Sequence, residues 1–295
     1  MQQKYDYYLI GPISIDTEQF YDGTSKKLIG GALPFGAYAA LAGNRKIGAL
    51  AKIGADDQYI TDLLYIKNLT VIPSKRTPSY HLTYQSENRE HRTISVASAC
   101  DCFLTSDIPD AEAEIYHLAG LSYGDFDHEL FPFLASRGKL ACDLQGFLRH
   151  PINGKLEFED WPEKFTYIPY VTYLKADAAE AEIITGRSDR RDAAEQLYQW
   201  GAKEVLITHN TEVLVYDGTS FYTCPIRARS LIGRSGRGDT TFSSYITERI
   251  DHAIPDALFY ATSLVSLKME STGPFRGTRS DVEAYQQDIY SDYIN

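Results

Sequence analysis

The chain predicts an α/β fold: a mostly parallel central sheet with helices on both faces and a small β-sheet lid. Apolar strand-like runs alternate with helical patterns along almost all of the 295 residues, and glycine-rich segments fall where strands end. One stretch, residues 79–97, breaks the alternation with a two-residue period. That period marks a half-solvated antiparallel hairpin, not a buried parallel strand.

Residues 5–15 read as the buried first strand. Residues 34–41 follow as a helix of small residues, with Pro34 in the first turn, where its missing N–H does no harm. A second strand over 47–53 ends at Gly54, and a helix spans about 56–65. In the hairpin, Tyr80, Leu82 and Tyr84 alternate with polar residues, Ile94 and Val96 with Thr93, Ser95 and Ala97, and a charged turn at 87–90 joins the two runs. Core strands resume at 114–118, 139–142, 171–174 and 205–208. Residues 212–216 and 220–224 form a second hairpin around Asp217-Gly218. Helices over 239–250, 257–269 and 280–290 close the chain.

With 29 Lys and Arg against 40 Asp and Glu, the formal net charge is −11. This argues against nucleic acid or an anionic membrane as the main partner, since both require basic patches. A small phosphorylated ligand needs only local positive charge, which Arg234 and Arg237 supply. No apolar run approaches a membrane span and the first residues lack a signal-peptide pattern, so a cytoplasmic location is expected. The four cysteines, at 100, 102, 142 and 224, lack zinc-site spacing and read as free thiols in a reducing compartment.

The most informative segment is Gly233-Arg-Ser-Gly-Arg-Gly-Asp239, placed just before a helical pattern. Gly236 and Gly238 let backbone N–H groups approach an anion closely, and the helix N-terminus adds partial positive charge. A carboxylate there repels an anion, so its use is to take a proton from a hydroxyl attacking that anion's phosphorus. The pattern points to phosphotransfer. It is not a Walker loop, because no Gly-x-x-x-x-Gly-Lys-Ser/Thr occurs. The bland alternatives are a glycine turn with Asp239 capping a helix, and an Arg-Gly-Asp adhesion tripeptide.

These residues resemble the PfkB, or ribokinase-like, family of carbohydrate kinases over nearly the whole chain. Gly236-Arg-Gly-Asp239 is similar to the C-terminal signature, Gly30-Gly31 to the N-terminal glycine pair, Ile53-Gly-Ala-Asp-Asp57 to the next landmark, and Asp16 to the early substrate aspartate. Asp177-Ala-Ala-Glu180 resembles the Asn-x-x-Glu motif. The resemblance implies a single ribokinase-like domain over 1–295, with a lid from about 12–32 and 76–103. It implies an ATP-dependent kinase acting on a hydroxyl of a small sugar or polyol, with nucleoside and cyclitol kinases of the same fold as alternatives. Asp239 would be the base, with Gly236, Arg237 and Gly238 forming the anion hole. Asp16, Gly30, Gly31, Phe35, Arg92 and Gln145 would contact substrate. Thr208, Asn210, Arg234 and Lys268 would contact ATP, whose adenine is expected near the 208–210 turn and the helix from Ala257. Asp177 and Glu180 would organise Mg²⁺. A homodimer joined through the lid is a further expectation.

Four departures bear on substrate and donor preference: Asp177 in place of asparagine, Gly233 where aspartate is frequent, Phe35 where a sugar-binding asparagine is frequent, and Thr208-His-Asn210 for a Thr-x-Gly turn. Two readings from other classes stand beside the kinase. One is a catalytically idle ligand-binding relative. The other is a serine hydrolase using Ser122 in Gly120-Leu-Ser-Tyr-Gly124, with Asp143 or Asp177 and His209 or His252 completing a triad.

Overall fold

The computed structural model describes residues 3–86 and 92–294, whose fifteen strands form two sheets. The strands are β1 (Gln3–Ile10), β2 (Ser14–Gln19), β3 (Ser25–Gly30), β4 (Ile47–Gly54), β5 (Leu69–Ser74), β6 (Ser79–Tyr84), β7 (Arg92–Ser98), β8 (Ala111–Leu118), β9 (Lys139–Asp143), β10 (Arg149–Ile152), β11 (Lys155–Phe158), β12 (Tyr173–Asp177), β13 (Glu204–Thr208), β14 (Glu212–Tyr216) and β15 (Phe221–Pro225).

The main sheet has nine strands in the order β15-β14-β13-β12-β9-β8-β1-β4-β5. It is parallel from β13 to β5, and β14 and β15 add an antiparallel edge. Burial on both faces explains the continuous apolar runs: all eight positions of β4 are buried. One face packs on Phe131, Phe147 and Trp161, the other on Leu33, Phe242 and Tyr245. The expected α/β architecture with a second, smaller sheet is present.

That second sheet has six strands, β10-β11-β7-β6-β2-β3. The expected strand over 5–15 is in fact two strands in different sheets. The chain crosses between them at Gly11, where a Cβ would stand 2.2 Å from the Ala119 carbonyl oxygen. The expected helix over 56–65 is a 3-10 turn, Ala55–Asp57, and a five-residue helix, Ile60–Leu64. The strand expected at 171–174 lies two residues later, as β12. The hairpin at 79–98 forms as expected, while its expected turn at 87–90 falls outside the described residues. The sequence reading missed β10 and β11, joined through Asn153 and Gly154, both at positive φ. They extend the second sheet through β7.

Among the described residues no helix is long and apolar enough to cross a membrane. All four cysteines are free.

Candidate active site

Helix Arg237–Glu248 begins where the glycine-rich loop ends. Gly236 has φ 73°, a left-handed conformation that suits glycine, and a Cβ there would stand 2.1 Å from Phe35 Cδ1. A Cβ on Gly238 would stand 3.1 Å from Lys175 Nζ. The two glycines therefore let an aromatic ring and an ammonium press against the loop backbone. The first amides of the helix have no intrahelical acceptor and lie at its positive end. Asp239, the third residue of the helix, is half-buried among them.

Parallel pairing of β9 with β12 puts Asp143 opposite Lys175. Lys175 Nζ donates to Asp143 at 3.0 Å and lies 3.5 Å from Glu180 Oε2. Glu180 also lies 3.5 Å from Arg149, and all three of Asp143, Lys175 and Glu180 are almost fully buried. Burial opposes charge on Lys175, but Asp143, Glu180, Asp177 and Asp239 more than restore it and hold the amine above the ordinary lysine value. Burial likewise pushes the Asp239 carboxyl up, while Lys175, Arg149 and Lys268 pull it back. The result is a carboxylate near several fixed cations, suited to accepting a proton beside an anion.

Asp239 lines a cavity of about 140 Å³, which Ser235 and Gly236 also line. The two-residue period of β2 puts Asp16 and Glu18 on the same face, both toward this cavity. Asp16 Oδ1 accepts from the Tyr80 amide at 3.3 Å, and Glu18 Oε1 accepts from the Tyr84 hydroxyl at 3.0 Å. Gly30 leaves room for Asp16, whose Oδ2 stands 2.2 Å from where a Cβ would be; Gly31 (φ 101°) turns the chain into helix Ala32–Ala42. The opposite wall is apolar: Leu82 and Ile94, paired across β6 and β7, with Leu28 and Leu156. Phe35 lines the cavity and is only 4 % exposed, so it serves both the wall and the packing under Gly236. Gln145 also lines it and donates to the Gly120 carbonyl at 3.2 Å. Arg92 stands opposite Tyr84 at the start of β7, and its side chain lies outside the described residues.

In the glycine-rich loop Arg234 is exposed, and Arg237, the first residue of the helix, is half-buried. Burial and the neighbouring Arg234 hold the Arg237 guanidinium below its ordinary value, against the pull of Asp177. Thr208 is buried at the end of β13, and Asn210 is exposed beyond it. Lys268, expected beside the nucleotide, is fully buried and donates to the carbonyls of Gly233 and Ser235. Asp177 and Glu180 form a reciprocal capping box on helix Ala178–Thr185, each side chain accepting from the other's amide at 2.8 Å. Glu180 is further committed to Lys175 and Arg149. Among the described residues no group of three His, Cys, Asp or Glu side chains forms a metal cage.

Beside the helix Ile254–Lys268, one of the two elements near which adenine was expected, a tyrosine ties down the C-terminal segment. Tyr290, fully buried, donates to the Pro225 carbonyl at 2.8 Å, accepts from the Arg227 amide at 3.1 Å and lies 2.8 Å from Ser266 Oγ.

Ser122 is buried and paired with the Tyr80 hydroxyl at 2.7 Å, not with a histidine, and turns instead of a helix follow it. The strand–nucleophile–helix geometry that a hydrolase elbow requires is absent there. Sequence reasoning missed Lys175 and Arg149 as site residues, and it considered Asp143 only as a hydrolase acid. The signal for Lys175 was a lone charge inside an apolar run, Tyr173-Leu-Lys-Ala.

No protein-family profile matches the chain. A pyrophosphate-dependent kinase in the ribokinase family, solved with a pyrophosphate analogue and myo-inositol, is 34 % identical with a TM-score of 0.86, covering 94 % of this chain and 99 % of that one. The cytidine kinase of Thermococcus kodakarensis is 27 % identical over 254 residues, 82 % of this chain and 87 % of the relative. Arabidopsis thaliana ribokinase, complexed with ribose and ATP, shares the fold at 14 % identity and a TM-score of 0.75, over 97 % of this chain and 99 % of its own. The resemblance drawn from the glycine-rich loop, the glycine pair and the Asp177–Glu180 motif is borne out: this chain belongs to the ribokinase family of kinases.

Proposed function

We propose that the chain transfers a phosphoryl group from inorganic pyrophosphate to a hydroxyl of a small cyclitol or similar polyol. The observation that carries this reading is the position of Asp239, which lines the 140 Å³ cavity beside Ser235 and Gly236 of the glycine-rich loop, in the first turn of its helix. A hydroxyl held in the cavity would give its proton to Asp239 as it attacks phosphorus. The amides of 236–238, with Arg234, Arg237 and Lys175, would stabilise charge on the transferring group.

The acceptor reading rests on the two-sided cavity. Asp16 and Glu18 suit hydroxyl donors, whereas Leu82, Ile94, Leu156 and Phe35 suit a C–H face. A polyhydroxylated ring offers both. The second sheet would act as a lid that keeps water from the donor, since water in that place would be phosphorylated instead. The donor reading rests on the pyrophosphate dependence of the 34 % identical relative. Mg²⁺ would be held by Asp177 together with the donor's own oxygens, and when bound it would neutralise phosphate charge.

The test is a matrix of donors, pyrophosphate and ATP, against myo-inositol, other cyclitols, ribose and cytidine. The expected result is acceptor-dependent phosphate release from pyrophosphate with a cyclitol. Turnover with ATP and none with pyrophosphate would overturn the donor assignment, and a preference for cytidine would overturn the acceptor assignment.

A further inference from the structure

Lys268 has contacts that a donor ligand does not require. It ends helix Ile254–Lys268, is fully buried, and donates from Nζ to the Gly233 carbonyl at 2.6 Å and to the Ser235 carbonyl. Its ammonium also stands 5.0 Å from the centre of the Phe35 ring, and that ring occupies the space where a side chain on Gly236 would be. Gly233 is fixed a second time, donating its amide to the Met269 carbonyl at 2.8 Å. An ammonium out of water is costly unless such partners surround it, and two carbonyl oxygens and an aromatic face supply them.

Peptide planarity gives this arrangement a consequence. In a trans peptide the C=O of one residue and the N–H of the next point in opposite directions. Pinning the carbonyls of Gly233 and Ser235 onto Lys268 therefore turns the amides of Arg234 and Gly236 away from the helix end. We propose that Lys268 is the positioning residue of the anion hole: it holds two loop carbonyls so that the Arg234 and Gly236 amides are presented to the donor phosphate. This rests on the phosphotransfer reading above and adds a residue that acts without touching the reacting atoms.

Burial pushes the Lys268 amine down to about 8; of the charged groups facing it, Asp239 raises that value and Arg237 lowers it. The brace should then loosen in mildly alkaline solution, which a purely structural lysine would not reveal. The test compares kcat and the acceptor KM of the parent, Lys268→Met and Lys268→Arg over about pH 6 to 10, with the best donor and acceptor pair. The parent's kcat is expected to fall as pH rises through about 8. Lys268→Met should lose roughly 10²-fold in kcat near neutrality, the scale of a misplaced catalytic group, with little change in acceptor KM and no alkaline limb. Lys268→Arg, charged throughout, should keep measurable activity and move the limb beyond the range.

A Met variant with the parent's kcat and the same alkaline limb would overturn the proposal, as would a loss that only follows the folded fraction. If Lys268→Met does not fold, the parent and Lys268→Arg decide: a parent kcat level from about pH 7 to 10 is the contrary result. A parent that turns over no donor and acceptor pair defeats the phosphotransfer reading itself, whereas turnover with an unaltered profile defeats only the role of Lys268.

Discussion

The two parts of the site that meet at Asp239 are built from different materials. The loop side, proposed for the donor, comes from strand ends of the main sheet and from helix termini, and buried contacts fix it: Lys175 between Asp143 and Glu180, Lys268 on the loop carbonyls, and Phe35, shared with the cavity wall, under Gly236. The acceptor wall comes largely from the second sheet. Its Asp16, Glu18, Leu82, Ile94 and Leu156 are only half-buried and belong to short strands. On the proposed function, this difference would separate two tasks. Charge stabilisation at phosphorus needs a rigid frame, whereas the choice of acceptor can be altered on a surface that the main core does not depend on.

The largest break in that comparison should come from Asp239→Asn. It is expected to slow turnover by roughly 10²–10⁴, the range for losing a general base, while pyrophosphate binding measured by calorimetry persists. Parent-like turnover would remove Asp239 from the chemistry. Next comes Gly236→Ala, which must adopt a left-handed φ and displace the Phe35 ring. A loss of about 2–3 kcal/mol in denaturant unfolding and at least about tenfold in kcat is expected. An unchanged variant would show that the donor loop is not held as tightly as its packing implies.

Glu180→Gln tests the buried ion pairs on the donor side. It leaves Lys175 and Arg149 short of one carboxylate, so stability should fall by up to about 3 kcal/mol, with Asp143 limiting the damage. The magnesium needed for half-maximal rate should rise, and Asp177→Asn, at a half-buried position, should be milder on both measures. Identical magnesium curves for both variants and the parent would separate this motif from the metal. The smallest effect on the chemistry is expected on the acceptor side. Leu82→Asn combined with Ile94→Ser should change the ranking of cyclitols by several-fold while stability stays within about 1 kcal/mol and the donor KM is unmoved. A change in donor KM instead would show that the two sides are not independent.

The donor side was the more legible half in the sequence, because local signals make it. The glycines before Asp239 and the helix behind them are neighbours in the chain, and so are Asp177 and Glu180. The hairpin of β6 and β7 was legible from its period. The hairpin of β10 and β11 was not, although Asn153-Gly154 is a turn signal, because four-residue strands carrying Pro151, Lys155 and Glu157 do not read as sheet. Lys175 was taken to lie beyond a strand ending at 174. The true register, set by pairing with β9, puts it inside the sheet opposite Asp143. Tyr290 meets Pro225, 65 residues away, and no local pattern reports such a contact.

The measurement that reaches the central claim most directly is a crystal structure with a non-hydrolysable pyrophosphate analogue and the preferred acceptor bound together. The account predicts the reacting hydroxyl within hydrogen-bond reach of Asp239, about 2.6–3.2 Å, and the near phosphoryl group against the amides of 236–238. An acceptor hydroxyl directed away from Asp239, or a donor seated away from the 236–238 loop, would contradict it.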